Sequence, residues 1–141
     1  MANPIYPCLW FDGKAQEAAK FYCSVFQNSK IITDNPMVVI FELNGKKFMG
    51  LNGGPEFKFN ESVSFVIECE NQEEIDYYWN KFTSDGGQES MCGWCKDKFG
   101  VSWQVVPVIL GKLMSDPEKG QRVIQAFMKM KKFDIKALET A

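Results

Sequence analysis

The chain has 141 residues, 45% of them hydrophobic and 24% charged, with a net charge of −2; this suits one domain, or two small similar halves sharing a core. The slightly acidic balance argues against a nucleic-acid or anionic-membrane footprint, and no run approaches the roughly 18 apolar residues of a membrane span. Histidine is absent, which removes Ser-His-Asp and Cys-His nucleophile arrangements, imidazole metal sites and the commonest general base near neutral pH.

Ile5 to Phe11 reads as a buried strand, with Asp12 as the N-cap of the helix that follows. Ala15, Ala18, Ala19, Tyr22, Val25 and Phe26 then draw one apolar stripe at helical spacing, ending near Asn28-Ser29. Ile31 to Thr33 reads as a short strand and Asp34-Asn35-Pro36 as a turn. Met37 to Leu43 and Lys46 to Asn52 are two strands joined by Asn44-Gly45, the strongest hairpin signal in the chain. Gly53 to Glu61 carries breakers and two exposed-looking aromatics, Phe57 and Phe59, and reads as a linker or lid.

The pattern then repeats. Ser62 to Cys69 is a strand, Asn71 and Glu74 resemble a capping box, Ile75, Tyr78, Trp79 and Phe82 form a second apolar stripe, and Gly86-Gly87 ends the helix. Gln88 to Met91 is a strand, and Cys92 to Pro107 is a hairpin around Asp97-Lys98-Phe99-Gly100. Its second strand puts Ser102, Gln104 and Val106 on one face and Val101, Trp103 and Val105 on the other. In the tail, Asp116-Pro117 starts a helix with Val123, Ile124, Phe127 and Met128 as its stripe, Lys129 to Lys132 is a solvated helix end, and Asp134 to Leu138 is a last short helix.

Leu9 lies over Ile67, the first helix over the second and turn Gly45 over Gly100, so the chain is a β-α-β-β-β unit repeated in pattern. The expected fold class is α+β: two tandem βαβββ modules forming a curved mixed sheet around a cleft, with C-terminal helices. As one domain, residues 1–141 divide into a first module of about 4–53, a linker of 54–61, a second module of about 62–107 and a tail of 108–141. The five cysteines, at 8, 23, 69, 92 and 95, are an odd set without framework spacing, and free thiols are expected. The N-terminus lacks a signal-peptide pattern, so a soluble, unexported protein of the cytoplasm is expected.

Three stretches together resemble the PhnB-like branch of the vicinal oxygen chelate superfamily, which includes glyoxalase I, bleomycin-resistance proteins and extradiol dioxygenases. They are Pro7 to Gly13 followed by Glu17 to Tyr22, the Leu51-Asn52-Gly53-Gly54-Pro55-Glu56-Phe57 loop, and Asp97 to Pro107. The resemblance implies paired βαβββ modules, a homodimer and a ligand cavity. In metal-using relatives, His, Glu or Gln ligands sit on the first and last strand of each module. By strand position those sites fall near Tyr6 and Ser64, near Gly50 or Asn52, and at Gln104. Of these only Gln104 is a credible donor, and first-row divalent metals need several imidazoles or carboxylates, so no catalytic metal and no cofactor are expected. The branch is also labelled a ubiquinone-biosynthesis methyltransferase; the chain has no strand followed by the Gly-rich turn and downstream acid of a nucleotide-type cofactor site.

Alternation from the superfamily's ligand positions aims Cys8, Trp10, Ser64, Val66, Glu68, Trp94, Ser102 and Gln104 at the cleft, against the plainer reading that they fill the sheet. The ligand-binding candidates are Tyr6, Cys8, Trp10, Asn52, Phe57, Phe59, Ser64, Trp94 and Gln104, since aromatic walls with a few polar groups select small planar molecules. Trp79 and Trp103 are assigned to the core. Among Glu42, Glu68 and Glu70, Glu68 is the best-placed general base, although strand-edge glutamates are usually solvated. Cys92-Gly93-Trp94-Cys95 is a CxxC, but in a predicted strand it lacks the helix N-terminus or cations that activate a thiolate, and no second pair completes a zinc set. The expected function is a small-molecule binding protein of the glyoxalase/bleomycin-resistance type, the alternative an enzyme of the same superfamily on a small substrate. No nucleic-acid or membrane partner is expected.

Overall fold

In the computed structural model, which describes residues 3–141, two strand–helix steps begin two separate four-stranded sheets. Contacts divide the chain into unit 1, Met1–Phe59, and unit 2, Asn60–Ala141.

Unit 1 contains β1 (Cys8–Phe11), α1 (Ala15–Val25), β2 (Ser29–Asp34), β3 (Val38–Leu43) and β4 (Lys46–Asn52). The sheet runs β1-β4-β3-β2, with β1 parallel to β4 and the other pairs antiparallel. Helix α1 buries Ala15, Ala18, Ala19, Tyr22 and Val25, the predicted stripe, against Leu9, Phe11, Val39, Phe41 and Phe48. Tyr22 and Phe41 stack at 6.2 Å, and Phe41 and Phe48 at 5.5 Å. Asn44 and Gly45 both take positive φ, as a two-residue hairpin turn requires.

Several boundaries differ from expectation. The first strand begins at Cys8 rather than Ile5, which is 94% exposed. Helix α1 starts without a cap from Asp12 or from Lys14, its first flanking residue. Its Ala15 N–H donates instead to Oδ1 of Asn52, 37 residues along the chain, at 2.9 Å. The helix also stops at Val25, where Phe26 turns extended.

Unit 2 repeats the topology with β5 (Ser64–Cys69), α2 (Gln72–Thr83), β6 (Gln88–Glu89), β7 (Trp94–Lys96) and β8 (Ser102–Pro107), in the order β5-β8-β7-β6. Again the first strand is parallel to the last. The capping box is present with a shifted partner: the Glu74 N–H donates to Asn71 Oδ1 at 2.9 Å, while Glu74 Oε1 accepts from the N–H of Glu70 at 2.8 Å. Ile75, Trp79 and Phe82 are buried, and Phe82 stacks on Trp103 at 4.4 Å. Trp79 and Trp103 are thus core residues, both nearly inaccessible. Strand β6 is shorter than the predicted Gln88–Met91 because the chain turns at Met91, where the Trp94 N–H donates back to the Met91 carbonyl.

The tail holds α3 (Leu110–Met114), α4 (Gly120–Phe127) and α5 (Ile135–Glu139). Helix α3 was not expected. Asp116 does accept from the N–H groups of Glu118 and Lys119, but it closes a turn, and the helix proper begins at Gly120. The tail packs on unit 2 through Phe133, which is buried. Cys92 and Gly93 donate their N–H groups to the carbonyls of Met130 and Lys131 at 2.7 and 2.8 Å, and the Gln72 amide brackets Phe133 and Ile135. Gly93 is required there: a Cβ would stand 2.4 Å from the Phe133 ring.

Candidate functional site

In both units the residues that alternate with the helix-packed ones lie on the opposite, open face of the sheet. On unit 2 this face has two rows across three strands. Val66 on β5 is opposite Gln104 on β8, which is opposite Trp94 on β7; one pleat along, Ser64 is opposite Ser102, which is opposite Lys96. Directly opposed side chains in a sheet stand about 5 Å apart, so each row is a contiguous strip. The Gln104 amide donates to Ser64 Oγ at 2.9 Å, linking the two rows. Val66 is 56% exposed and Glu68, further along β5, is exposed too.

Behind Gln104 the hairpin is held rigidly by one buried carboxylate. Asp97 accepts from the N–H groups of Phe99 at 2.9 Å and Val101 at 3.1 Å through Oδ1, and from Trp103 Nε1 at 2.9 Å through Oδ2. With both oxygens engaged, Asp97 fixes the turn and the Trp103 ring together, and so fixes the register of Gln104. In the sequence Asp97 reads as an ordinary turn residue. Its burial follows from Trp103, whose indole N–H needs a partner once the ring packs on Phe82.

A cavity of about 120 Å³ opens beside the second row, lined by Glu61, Gln88, Glu89, Ser90, Trp94, Cys95, Lys96 and Ser102. Lys96 Nζ meets Glu61 Oε1 at 3.1 Å, and that ammonium holds the Glu61 carboxyl below its ordinary range. Glu89 Oε1 accepts from Trp79 Nε1 at 2.9 Å. Ser102 Oγ is buried without a hydrogen-bond partner among the described residues. Lys96 and Glu61 were not singled out from sequence; counting two residues on from Trp94 along β7 finds Lys96, whereas nothing local marks Glu61.

On unit 1, Trp10 lies on the open face, opposite Leu51, and its Nε1 donates to the Gly54 carbonyl at 2.8 Å. The loop beyond β4 folds over it: Phe57 meets the Trp10 ring edge-on at 4.9 Å, and Phe59 meets Phe11 at 5.2 Å. Gly53 sits where a Cβ would be 2.4 Å from the Trp10 ring. The structure therefore brings Trp10 and Phe57 together, with Phe57 itself 62% exposed. Cys8 is exposed on the same strand, and Tyr6 lies before it with Lys47 Nζ 4.2 Å from its ring. Asn52 serves the fold: besides capping α1, its Nδ2 donates to Gln16 Oε1 and the Pro36 carbonyl.

The strand positions at which the resemblance implies metal ligands hold few metal donors. Gln104 and Ser64 bond to each other, Asn52 is committed to helix α1, and Tyr6 offers a neutral phenol. Among the described residues no group of three His, Cys, Asp or Glu side chains could hold a metal ion. This donor set does not fit a tightly held first-row metal. All five cysteines are free. In the CxxC, Cys95 is buried and its thiol is pushed up to about 12 by burial and by the nearby Asp97 and Glu89 charges, the reverse of an activated thiolate. Among the described residues, no helix is long and apolar enough to cross a membrane.

Comparison with known proteins places this geometry. The model of the family described as 3-demethylubiquinone-9 3-methyltransferase matches residues 3–106. The PhnB protein from Bacillus cereus is 32% identical over 75% of this chain and 100% of its own, with a TM-score of 0.68. A glyoxalase-related enzyme from Fulvimarina pelagi shares the fold at 13% identity, covering 78% of this chain and 91% of that one, TM-score 0.58. The fosfomycin resistance protein FosX from Listeria monocytogenes does so at 12% identity over 75% and 91%, TM-score 0.57. No curated protein matches the chain.

Proposed function

The chain belongs to the family described as 3-demethylubiquinone-9 3-methyltransferase, the PhnB-like branch of the vicinal oxygen chelate superfamily, and from that premise we propose that it is a metal-independent small-molecule binding protein. The observation that carries this reading is the Gln104–Ser64 pair. At strand positions where metal-using relatives place donors, an amide and a hydroxyl bond each other at 2.9 Å, with Trp94 beside them as an aromatic wall. A half-open apolar surface with a few convergent polar groups suits a small planar or amphipathic ligand. Trp10 and Phe57 offer a second aromatic surface on unit 1. The reading includes a homodimer working in the cytoplasm.

Methyl transfer is not supported by the local architecture. The turns after β1 and β5 are Asp12-Gly13-Lys14 and Glu70-Asn71, neither of them a Gly-rich phosphate loop, and each sheet is mixed rather than doubly wound. An enzymatic alternative would use Glu68, exposed on the open face near Gln104, as a general base.

The test is a thermal-shift series on chelator-stripped protein with Zn, Mn, Fe(II), Ni and Mg added separately, followed by aromatic small molecules. A ligand at 100 times its dissociation constant adds roughly 2.7 kcal/mol, a shift of several degrees. We expect no metal to shift melting and an aromatic compound to do so. Stoichiometric uptake of one metal with a clear shift would overturn the reading and send the protein to glyoxalase-type assays.

A further inference from the structure

The cavity beside Lys96 adds chemistry to the open face that the binding reading leaves unused. Burying a hydroxyl without a partner is unfavourable, and such groups are rare in folded proteins. Ser102 Oγ is one, nearly inaccessible, on a residue that lines the cavity. Its cross-strand neighbour is Lys96, whose ammonium is met by Glu61 from the loop before β5. Glu61 is 63% exposed, and its carboxylate, met by the Lys96 ammonium and its own backbone N–H, can swing into solvent. An exposed ion pair of this kind is weak and readily exchanged. The other carboxylate, Glu89, is engaged by the Trp79 indole. At about 120 Å³ the cavity has room for more than a water, and Trp94 forms part of its wall.

We propose that this cavity is the subsite for the carboxylate of a small aromatic acid, with Lys96 and Ser102 as its binding groups and Glu61 as the carboxylate that occupies the ammonium until the ligand arrives. The assignment rests on the small-molecule reading above and names the ligand class. The incoming carboxylate displaces Glu61, takes a charge-assisted hydrogen bond from Lys96 Nζ and accepts a hydrogen bond from the Ser102 hydroxyl, while the ring lies toward Trp94 and Gln104.

The test uses the full chain and three probes that share a phenyl ring and differ in head-group charge, benzoate, benzamide and benzylamine, titrated by two-dimensional amide NMR. Benzoate is expected to shift the amides of Lys96 and Ser102 and to bind about ten-fold or more tighter than benzamide. Lys96→Met should weaken benzoate at least ten-fold, Ser102→Ala several-fold, and Glu61→Gln should tighten it about two- to five-fold by removing the competing carboxylate. The gain in Glu61→Gln is what a merely structural ion pair would not give. Benzamide or benzylamine binding as tightly as benzoate, or Glu61→Gln leaving benzoate unchanged, overturns the carboxylate subsite. Should benzamide bind this face as tightly as benzoate and be weakened by Gln104→Leu, the subsite falls while the binding reading stands. No open-face shift with any probe, in wild type or Glu61→Gln, also overturns the subsite, and the binding reading is then judged by its own thermal-shift series. Dispersed spectra of each variant establish that it is folded.

Discussion

The two units use one strand order to present two chemistries. On unit 1 the open-face rows are Cys8, Met49 and Ile40, then Trp10, Leu51 and Val38, sulfur and hydrocarbon apart from the Trp10 N–H. On unit 2 the corresponding strands carry Val66, Gln104 and Trp94, then Ser64, Ser102 and Lys96. Helix-packed positions are apolar in both, from Phe41 and Phe48 in the first to Trp103 and Val105 in the second. The fold is thus specified by one set of alternating positions, and the other set is free to become a wall or a site.

The turns differ in the same way, which gives the sharpest means of separating the units. Asp97 satisfies three donors from inside the hairpin of unit 2, whereas the Asn44-Gly45 turn of unit 1 relies on backbone conformation. Asp97→Ala strands those donors and should destabilise unit 2 by about 3–5 kcal/mol. Hydrogen exchange read peptide by peptide should show β7 and β8 losing protection first; equal loss in β3 and β4 would mean that the units unfold as one.

Helix starts make a second contrast. Asn71 caps α2 from the adjoining residue, whereas Asn52 caps α1 from the end of β4 and also holds Gln16 and Pro36. Asn71→Ala should cost about 1 kcal/mol and Asn52→Ala about 2 kcal/mol or more, read from urea midpoints. The reverse ranking would show that the long-range cap is incidental.

The smallest effect is the pH response of the Lys96–Glu61 pair. The ammonium lowers the Glu61 pKa from its ordinary 4.5, so the pair stabilises the fold above that pH and the contribution is lost as pH falls through the lowered value. Wild type should therefore lose slightly more stability than Glu61→Gln on acidification from pH 6 to pH 3, the difference shrinking in high salt because Glu61 is exposed. Parallel curves would mean that the pair has no thermodynamic role in the free protein.

What sequence made visible was local in range. Asn44-Gly45, the Asn71–Glu74 box and the stripes of α1 and α2 are decided by residues within a turn or two of each other, and alternation separated Gln104 from Trp103. The start of α1 is not legible locally, because its cap comes from 37 residues away and Asp12 is the nearer candidate. The resemblance drew attention to Ser64 and Gln104. It did not point to Lys96 or Glu61, whose meeting depends on the path of the loop before β5.

Phe133 and the carbonyls of Met130 and Lys131 form, in recognition terms, a peptide bound to its own receptor: two main-chain hydrogen bonds align it beside Cys92 and Gly93, and one aromatic anchor fills the space the glycine leaves. The tether makes that docking intramolecular, at an effective concentration no free peptide of similar pattern can match. The groove at the start of the hairpin is therefore saturated from within. The recognition proposed for the open sheet faces is therefore a separate matter from this internal docking.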